Sequence, residues 1–190
     1  MFINFRNFGI VVLLLSFFQI SKAQDAFLSK AATISFFSYT PIRNISAISN
    51  LGVGYIKPST KFVKFQVGIT SFVFENSLMQ EHFNENYMES DKKGFEFASF
   101  EGTINESVDF SKDGVYNVTV SGNFTCHNKT QPRTIDGTIE VKAGQLILHS
   151  QFDVMLVDHD IKKPQVVNAD IADSIQVTVD ATLPSYIAGK

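Results

Sequence analysis

Between residues 116 and 126, Tyr116, Val118, Val120, Gly122, Phe124 and Cys126 alternate with Asn117, Thr119, Ser121, Asn123 and Thr125. Alternation with period two over eleven residues is the pattern of a half-buried β-strand, because successive side chains of a strand point to opposite faces. The same rhythm recurs along the chain. Val63, Phe65, Val67 and Ile69 alternate with polar neighbours, as do Ile135, Ile139 and Val141, and Ile175, Val177, Val179 and Ala181. Shorter strands are expected at 31–39, 45–56, 95–104 and 146–157. Turn residues separate them at Lys57-Pro58-Ser59, Ser111-Lys112-Asp113-Gly114, Ala143-Gly144 and Asp158-His159-Asp160. Ile69 and Phe72 lie three apart, as do Phe97 and Phe100, which predicts a bulge or corner in each of those strands.

One segment breaks the alternation. In ENSLMQEHFNENYMES, Met79, Phe83 and Tyr87 follow steps of four behind Asn76, a residue suited to cap a helix start. The spacing predicts one amphipathic helix over 76–89. Strands of even spacing with short turns and a single helix fit an all-β fold: a closed antiparallel barrel of about eight strands with one short helix.

The N-terminus reads differently. Residues 1–23 carry Arg6, an apolar run from Phe8 to Ile20, and Ser21-Lys22-Ala23 with small residues at the −3 and −1 positions. This is the pattern of a secretory signal peptide, and the run is short of the ~20 residues that span a bilayer. Two domains of sequence follow: signal peptide 1–23 and a barrel domain 24–190, placed in the periplasm or secreted. Cleavage before Gln24 leaves 14 basic and 19 acidic residues, a formal charge of −5. That balance gives no electrostatic case for nucleic acid. Fourteen phenylalanines remain, enough for an aromatic core without covalent staples.

Cys126 is the only cysteine and stands beside His127. On an extended strand the two side chains face opposite ways, so they do not form a nucleophile–base dyad. A lone cysteine in an exported protein is buried and inert or pairs between chains, which leaves a homodimer among the partner arrangements. His82, His127, His149 and His159 are scattered without zinc-site spacing, and no metal or cofactor is expected. His82 with Glu85, and the Asp158-His159-Asp160 run, are the closest approaches to a cation site; the latter reads first as a turn. The sequence holds no nucleophile-elbow, phosphate-loop or dinucleotide motif and gives no positive case for an enzyme.

Taken together, the motifs resemble the YceI-like family. YNVTVSGNFTCHNKTQP is similar to that family's strand and turn, which runs Gly-x-Leu-Thr-hydrophobic-His-Gly-x-Thr-Lys-Pro, through Gly122, Phe124, Thr125, Cys126, His127, Thr130 and Pro132. Asn128 departs from the usual Gly, and Gln131 stands where a basic residue is common. FFSYTPIRNISAISN resembles the family's opening, and SLMQEHFNENYMESDKKGFEFASFEGTI its helix and Phe-rich strand. FDVMLVDHDIKKP matches a late strand and turn through Phe152, Leu156, Asp158, Ile161 and Pro164. These blocks cover nearly all of 31–183. The resemblance implies an exported, lipocalin-like antiparallel barrel, some of whose relatives bind a polyisoprenoid or other long-chain lipid inside. It also implies that Cys126 is an ordinary barrel-facing hydrophobe and that His127 serves the turn at the strand end.

Strand phase then nominates ligand-binding residues: Phe65, Val67, Phe95 and Phe97 on the first half of the barrel, and Val118, Val120, Phe124, Phe152, Val177 and Val179 on the second. Alternation alone leaves three readings open. These are a lipid carrier, a structural or stress-related barrel with a filled core, and a pocket enzyme using His127 or His149 as acid–base group.

Overall fold

The computed structural model describes residues 26–40, 44–163 and 171–187. The signal-peptide expectation concerns residues 1–23, which lie outside the described residues. Eight strands close into an antiparallel barrel in sequence order: β1 (Ala26–Ser38), β2 (Ile45–Lys57), β3 (Phe62–Gly68), β4 (Phe97–Ile104), β5 (Gly114–Cys126), β6 (Lys129–Lys142), β7 (Gln145–Met155) and β8 (Ser174–Tyr186). β1 pairs with β8, which closes the circle and leaves no sheet edge at either terminal strand.

Of the two expected corners, the one between Ile69 and Phe72 is present and the one between Phe97 and Phe100 is not. β4 pairs in unbroken register with both β3 and β5, so there is no bulge between Phe97 and Phe100. Phe100 and Ile104 face inward, and Phe97 simply faces out. At Ile69 the chain leaves β3 and makes a 3₁₀ turn (Ile69–Ser71), which buries both Ile69 and Phe72. The true irregularity is in β1, whose register against β2 shifts on either side of Ala32. Gly54 faces Phe65 across the β2–β3 ladder, and a Cβ there would sit 2.4 Å from the Phe65 ring. The missing side chain is what lets that ring lie flat across β2.

The helix starts as expected and then changes pitch. Asn76 Oδ1 accepts from the amides of Leu78 (2.9 Å) and Met79 (3.2 Å), capping α1 (Ser77–His82). From Phe83 to Tyr87 the chain widens into a π-type turn, closed by Met88 N–H donating to the Phe83 carbonyl at 2.9 Å. A five-residue step puts Phe83 and Met88 on one side, both toward the barrel, which a regular α-helix over 76–89 could not do.

The two ends of the barrel are built differently. At the end carrying the β2–β3 and β6–β7 turns, Phe27, Ile56, Ile104, Val141, Leu146 and Leu183 are almost wholly buried against one another, with Phe110 stacked on Phe27. The other end carries the β1–β2, β3–β4, β5–β6 and β7–β8 connections. There Phe36, Phe72, Phe74 and Phe83 form an aromatic cluster with ring centroids 5.1–5.9 Å apart.

Candidate functional site

Between the packed end and the aromatic cluster the barrel is hollow. The cavity measures about 180 Å³ in the space open to the centre of a water molecule. That is room for on the order of ten waters in one space, where an ordinary core holds buried waters singly, at about one per 27 residues. Its wall is almost entirely apolar. None of the six residues that fill the packed end touches it. The open question of a hollow or a filled barrel therefore has a split answer: one end is solid and the other is empty.

Of the ten residues nominated by strand phase, Phe65, Val67, Val118, Val120, Phe124, Phe152, Val177 and Val179 line this cavity. Phe95 and Phe97 do not. Phe97 is 52% exposed on the outer face, because β4 takes its phase from Phe100 and Ile104. Phe95 lies before β4 and meets the His127 ring edge-on at 4.4 Å. The cavity also takes Ile69, Phe72, Phe83, Tyr87, Met88, Leu156 and Ile161. Ile69 ends the alternating series read on β3, and the others sit on connections, where no alternation marks an inward face. Cys126 and Ile175, which also line the cavity, each continue an inward series read on their strands, whereas Phe100 has the opposite phase to the Phe95 and Phe97 read as inward. Burial away from water raises the Tyr87 phenol above its usual pKa.

Cys126 faces the cavity, and burial pushes its thiol up to about 12. His127 faces away, at the first of two positions of the β5–β6 turn with positive φ (His127 50°, Asn128 57°). Positive φ at both central residues is the geometry of a type I′ hairpin turn. His127 Nδ1 donates to the His159 carbonyl at 2.9 Å, and Nε2 lies 3.2 Å from Glu89 Oε2. The imidazole thus ties together the connections β3–β4, β5–β6 and β7–β8. The Glu89 carboxyl is held below its usual pKa, first by its bond to Lys92 and also by His127.

The Asp158-His159-Asp160 run is a turn with each member engaged. Asp158 Oδ2 pairs with Arg133 Nη2 at 2.7 Å, and Asp160 with Lys129 Nζ at 2.7 Å. His159 is fully buried, and its Nδ1 lies 3.2 Å from the carbonyls of both Cys126 and Lys129. Two carbonyl partners require Nδ1 to carry the proton. Nε2 is then a buried acceptor with no hydrogen-bond partner among the described residues. Desolvation keeps the pKa of this ring below that of an exposed histidine. Among the described residues no three His, Cys, Asp or Glu side chains are grouped to hold a metal. His149 is on the outer wall, with Nδ1 2.7 Å from Asp180 Oδ1.

The YceI-like domain family matches residues 15–183 of the sequence. Solved structures share the architecture at low identity. A polyisoprenoid binding domain from Saccharophagus degradans, implicated in plant cell wall breakdown, superposes with a TM-score of 0.72 at 11% identity, covering 85% of this chain and 99% of its own. BcnA from Burkholderia cenocepacia gives 0.65 at 11% identity, over 80% and 95%. A YCEI protein from Campylobacter jejuni gives 0.50 at 13%, over 69% and 78%. At these identities the likeness establishes a common fold. No curated protein matches the sequence.

Proposed function

The chain belongs to the YceI-like domain family, and from that premise we propose that it is an exported barrel that carries or sequesters a polyisoprenoid or similar long-chain amphiphile. The observation that carries the reading is the apolar cavity, floored by a core that is packed without help from any ligand. Such a site binds by removing apolar surface from water. Burying about 400 Å² of tail at ~25 cal/mol/Å² gives on the order of 10 kcal/mol gross, and immobilising the ligand takes back several of those. The remainder is useful affinity with no charged contact. The Saccharophagus degradans neighbour, described as polyisoprenoid binding, supports the same ligand class.

Binding, rather than catalysis, is what the cavity's chemistry favours. The thiol that faces it is held protonated by burial, and the neighbouring imidazole is turned away and occupied at both nitrogens. Native mass spectrometry of the purified protein, followed by lipid extraction, tests the proposal. An extractable chain lipid at near-stoichiometric occupancy is expected. A protein that carries none, and takes up none of a panel of polyprenols, sinks it. Export rests on residues 1–23, and N-terminal sequencing of the exported protein should begin at Gln24. A membrane-bound form beginning at Met1 would reject cleavage.

A further inference from the structure

The barrel is closed as a circle of strands, yet two of its ladders stop short. The β2–β3 ladder ends at Val53–Gln66. There the free length of β2 is covered again by the chain after β3, through paired bonds between Ile48 and Val73 and through Ser49 Oγ to Ser71 Oγ at 2.7 Å. The β6–β7 ladder ends at Gly137–Ser150. Beyond it, the backbone of Arg133–Ile135 pairs only with β5 and that of Gln151–Met155 only with β8, while Ser150 Oγ donates to the Asp136 carbonyl at 2.6 Å. The two strands are joined again lower down by side chains, with Arg133 and Gln131 both reaching Asp158. Between those joints β6 runs free at Thr134 and Ile135, about 7 Å at the rise of a strand.

This seam is where the cavity meets the outer surface. On the outside, Glu106, Asn117, Thr119, Asp136, Thr138, His149 and Gln151 line a shallow polar cleft. Val118, Gly137 and Ser150 line both that cleft and the cavity. Gly137 has no side chain, so the wall there is a single backbone thick. Among the described residues, the packed core closes one end of the barrel, and the phenylalanine cluster and the Glu89–His127–His159 tie lie at the other.

We propose that the β6–β7 seam is the portal of the cavity and that the polar cleft holds the ligand's head, selecting a neutral hydrogen-bonding group such as an alcohol over a phosphate or diphosphate. This rests on the lipid-binding reading and adds the head-group class and its place. The groups facing the cleft set the selectivity. Glu106 and Asp136 bring negative charge, and the Glu106 carboxylate is fixed by the Thr119 amide (2.7 Å) and hydroxyl (2.9 Å). Arg133 is paired with Asp158, His149 is hydrogen-bonded to Asp180, and Lys61, whose charge reaches Glu106, does not line the cleft. A phosphate would therefore meet carboxylates in the cleft lining, whereas a hydroxyl finds Thr138 and the accepting oxygens of Ser150, whose proton goes to the Asp136 carbonyl, and Gln151, whose amide donates to Thr178.

The test compares geranylgeraniol with geranylgeranyl phosphate, each displacing a fluorescent long-chain probe from the mature protein, in wild type, Asp136→Lys and Glu101→Lys. Glu101 lies on the outer face of β4, on the far side of β5 from the cleft. Wild type should prefer the alcohol by roughly tenfold or more, and Asp136→Lys should narrow that ratio by roughly tenfold, as expected for reversing a charge close to a bound anion. Glu101→Lys should leave the ratio within about twofold, since an exposed charge beyond a Debye length is screened. If both variants move the ratio equally, or neither does, the head is not at this seam, although the cavity reading survives. If wild type displaces the probe with neither compound, the lipid-binding reading falls and the portal with it.

Discussion

Replacing His127 with Ala tests whether the imidazole holds the hollow end of the barrel together. The change removes the bond to the His159 carbonyl, 2.9 Å long and inside the protein, and leaves that acceptor without its partner. A buried acceptor stripped of its donor costs about 1–3 kcal/mol. Loss of the edge-on contact with Phe95 adds about 0.5–1.5 kcal/mol. The bond to Glu89 counts for less, because that carboxylate is partly in water. The sum is about 3 kcal/mol. For a domain of this size that corresponds to a fall in Tm of about 6–12 °C. Urea unfolding of the mature protein with and without the substitution measures it, read as a shift in midpoint at constant slope. Glu89→Gln, which keeps the side chain's shape, should move the midpoint much less than His127→Ala, since that carboxyl is open to solvent. A His127→Ala variant within 1 kcal/mol of wild type would show that the three connections are held by their apolar contacts alone, and the staple would be refuted.

Three further outcomes follow from the same geometry. Cys126, with its thiol pushed up to about 12, should resist a maleimide at pH 8 in the folded protein and react fully in urea; fast labelling of the native state would contradict its place in the cavity wall. Phe83→Asp puts a carboxylate against Phe36, Phe72 and Phe74, so stability should fall by about 3 kcal/mol or more and bound lipid should leave faster; an unchanged release rate would show that this segment does not bound the cavity. His159 has its pKa lowered by burial, so the unfolded chain binds a proton that the native chain refuses. Its contribution is whole above about pH 6.5 and is lost as pH falls toward the lower folded value. In His159→Asn the slope of stability between pH 7 and 5 should flatten, and an unchanged slope would assign the acid sensitivity to other groups.

Most of the barrel could be read from the chain because one face of each strand is buried, and burial imposes the period. β5 begins and ends close to where alternation and turn residues put it, β6 starts at Lys129 ahead of the alternation read from Ile135, β8 runs on to Tyr186 beyond Ala181, and Asn76 caps α1 as its position suggested. What failed, failed where period carries no information. Phe95 and Phe97 look like an inward pair until Phe100 and Ile104 are known to set the phase, and a single strand cannot choose between the two sets by itself. The widening at Phe83–Tyr87 answers to the barrel's need for Phe83 and Met88 on the same side, a tertiary demand with no local signal. The seam at Gly137–Ser150 was equally hidden, since residues that lose a ladder partner still alternate. Even His159 looked like an ordinary turn residue, and only the folded chain shows its ring sealed between two carbonyls and Phe124.

The solid floor of the barrel has a consequence for how amide protons exchange with solvent. Every strand runs from the packed end into the hollow end, so each ladder crosses from a region of high local stability to one of low local stability. Protection in the apo protein should therefore fall along each strand instead of differing between strands, with Ile56, Leu146 and Leu183 opening only on global unfolding. Ligand would slow exchange in the hollow half and leave the floor unchanged. A barrel built this way would keep its fold with or without a ligand, because the half that gives it shape is not the half that is hollow.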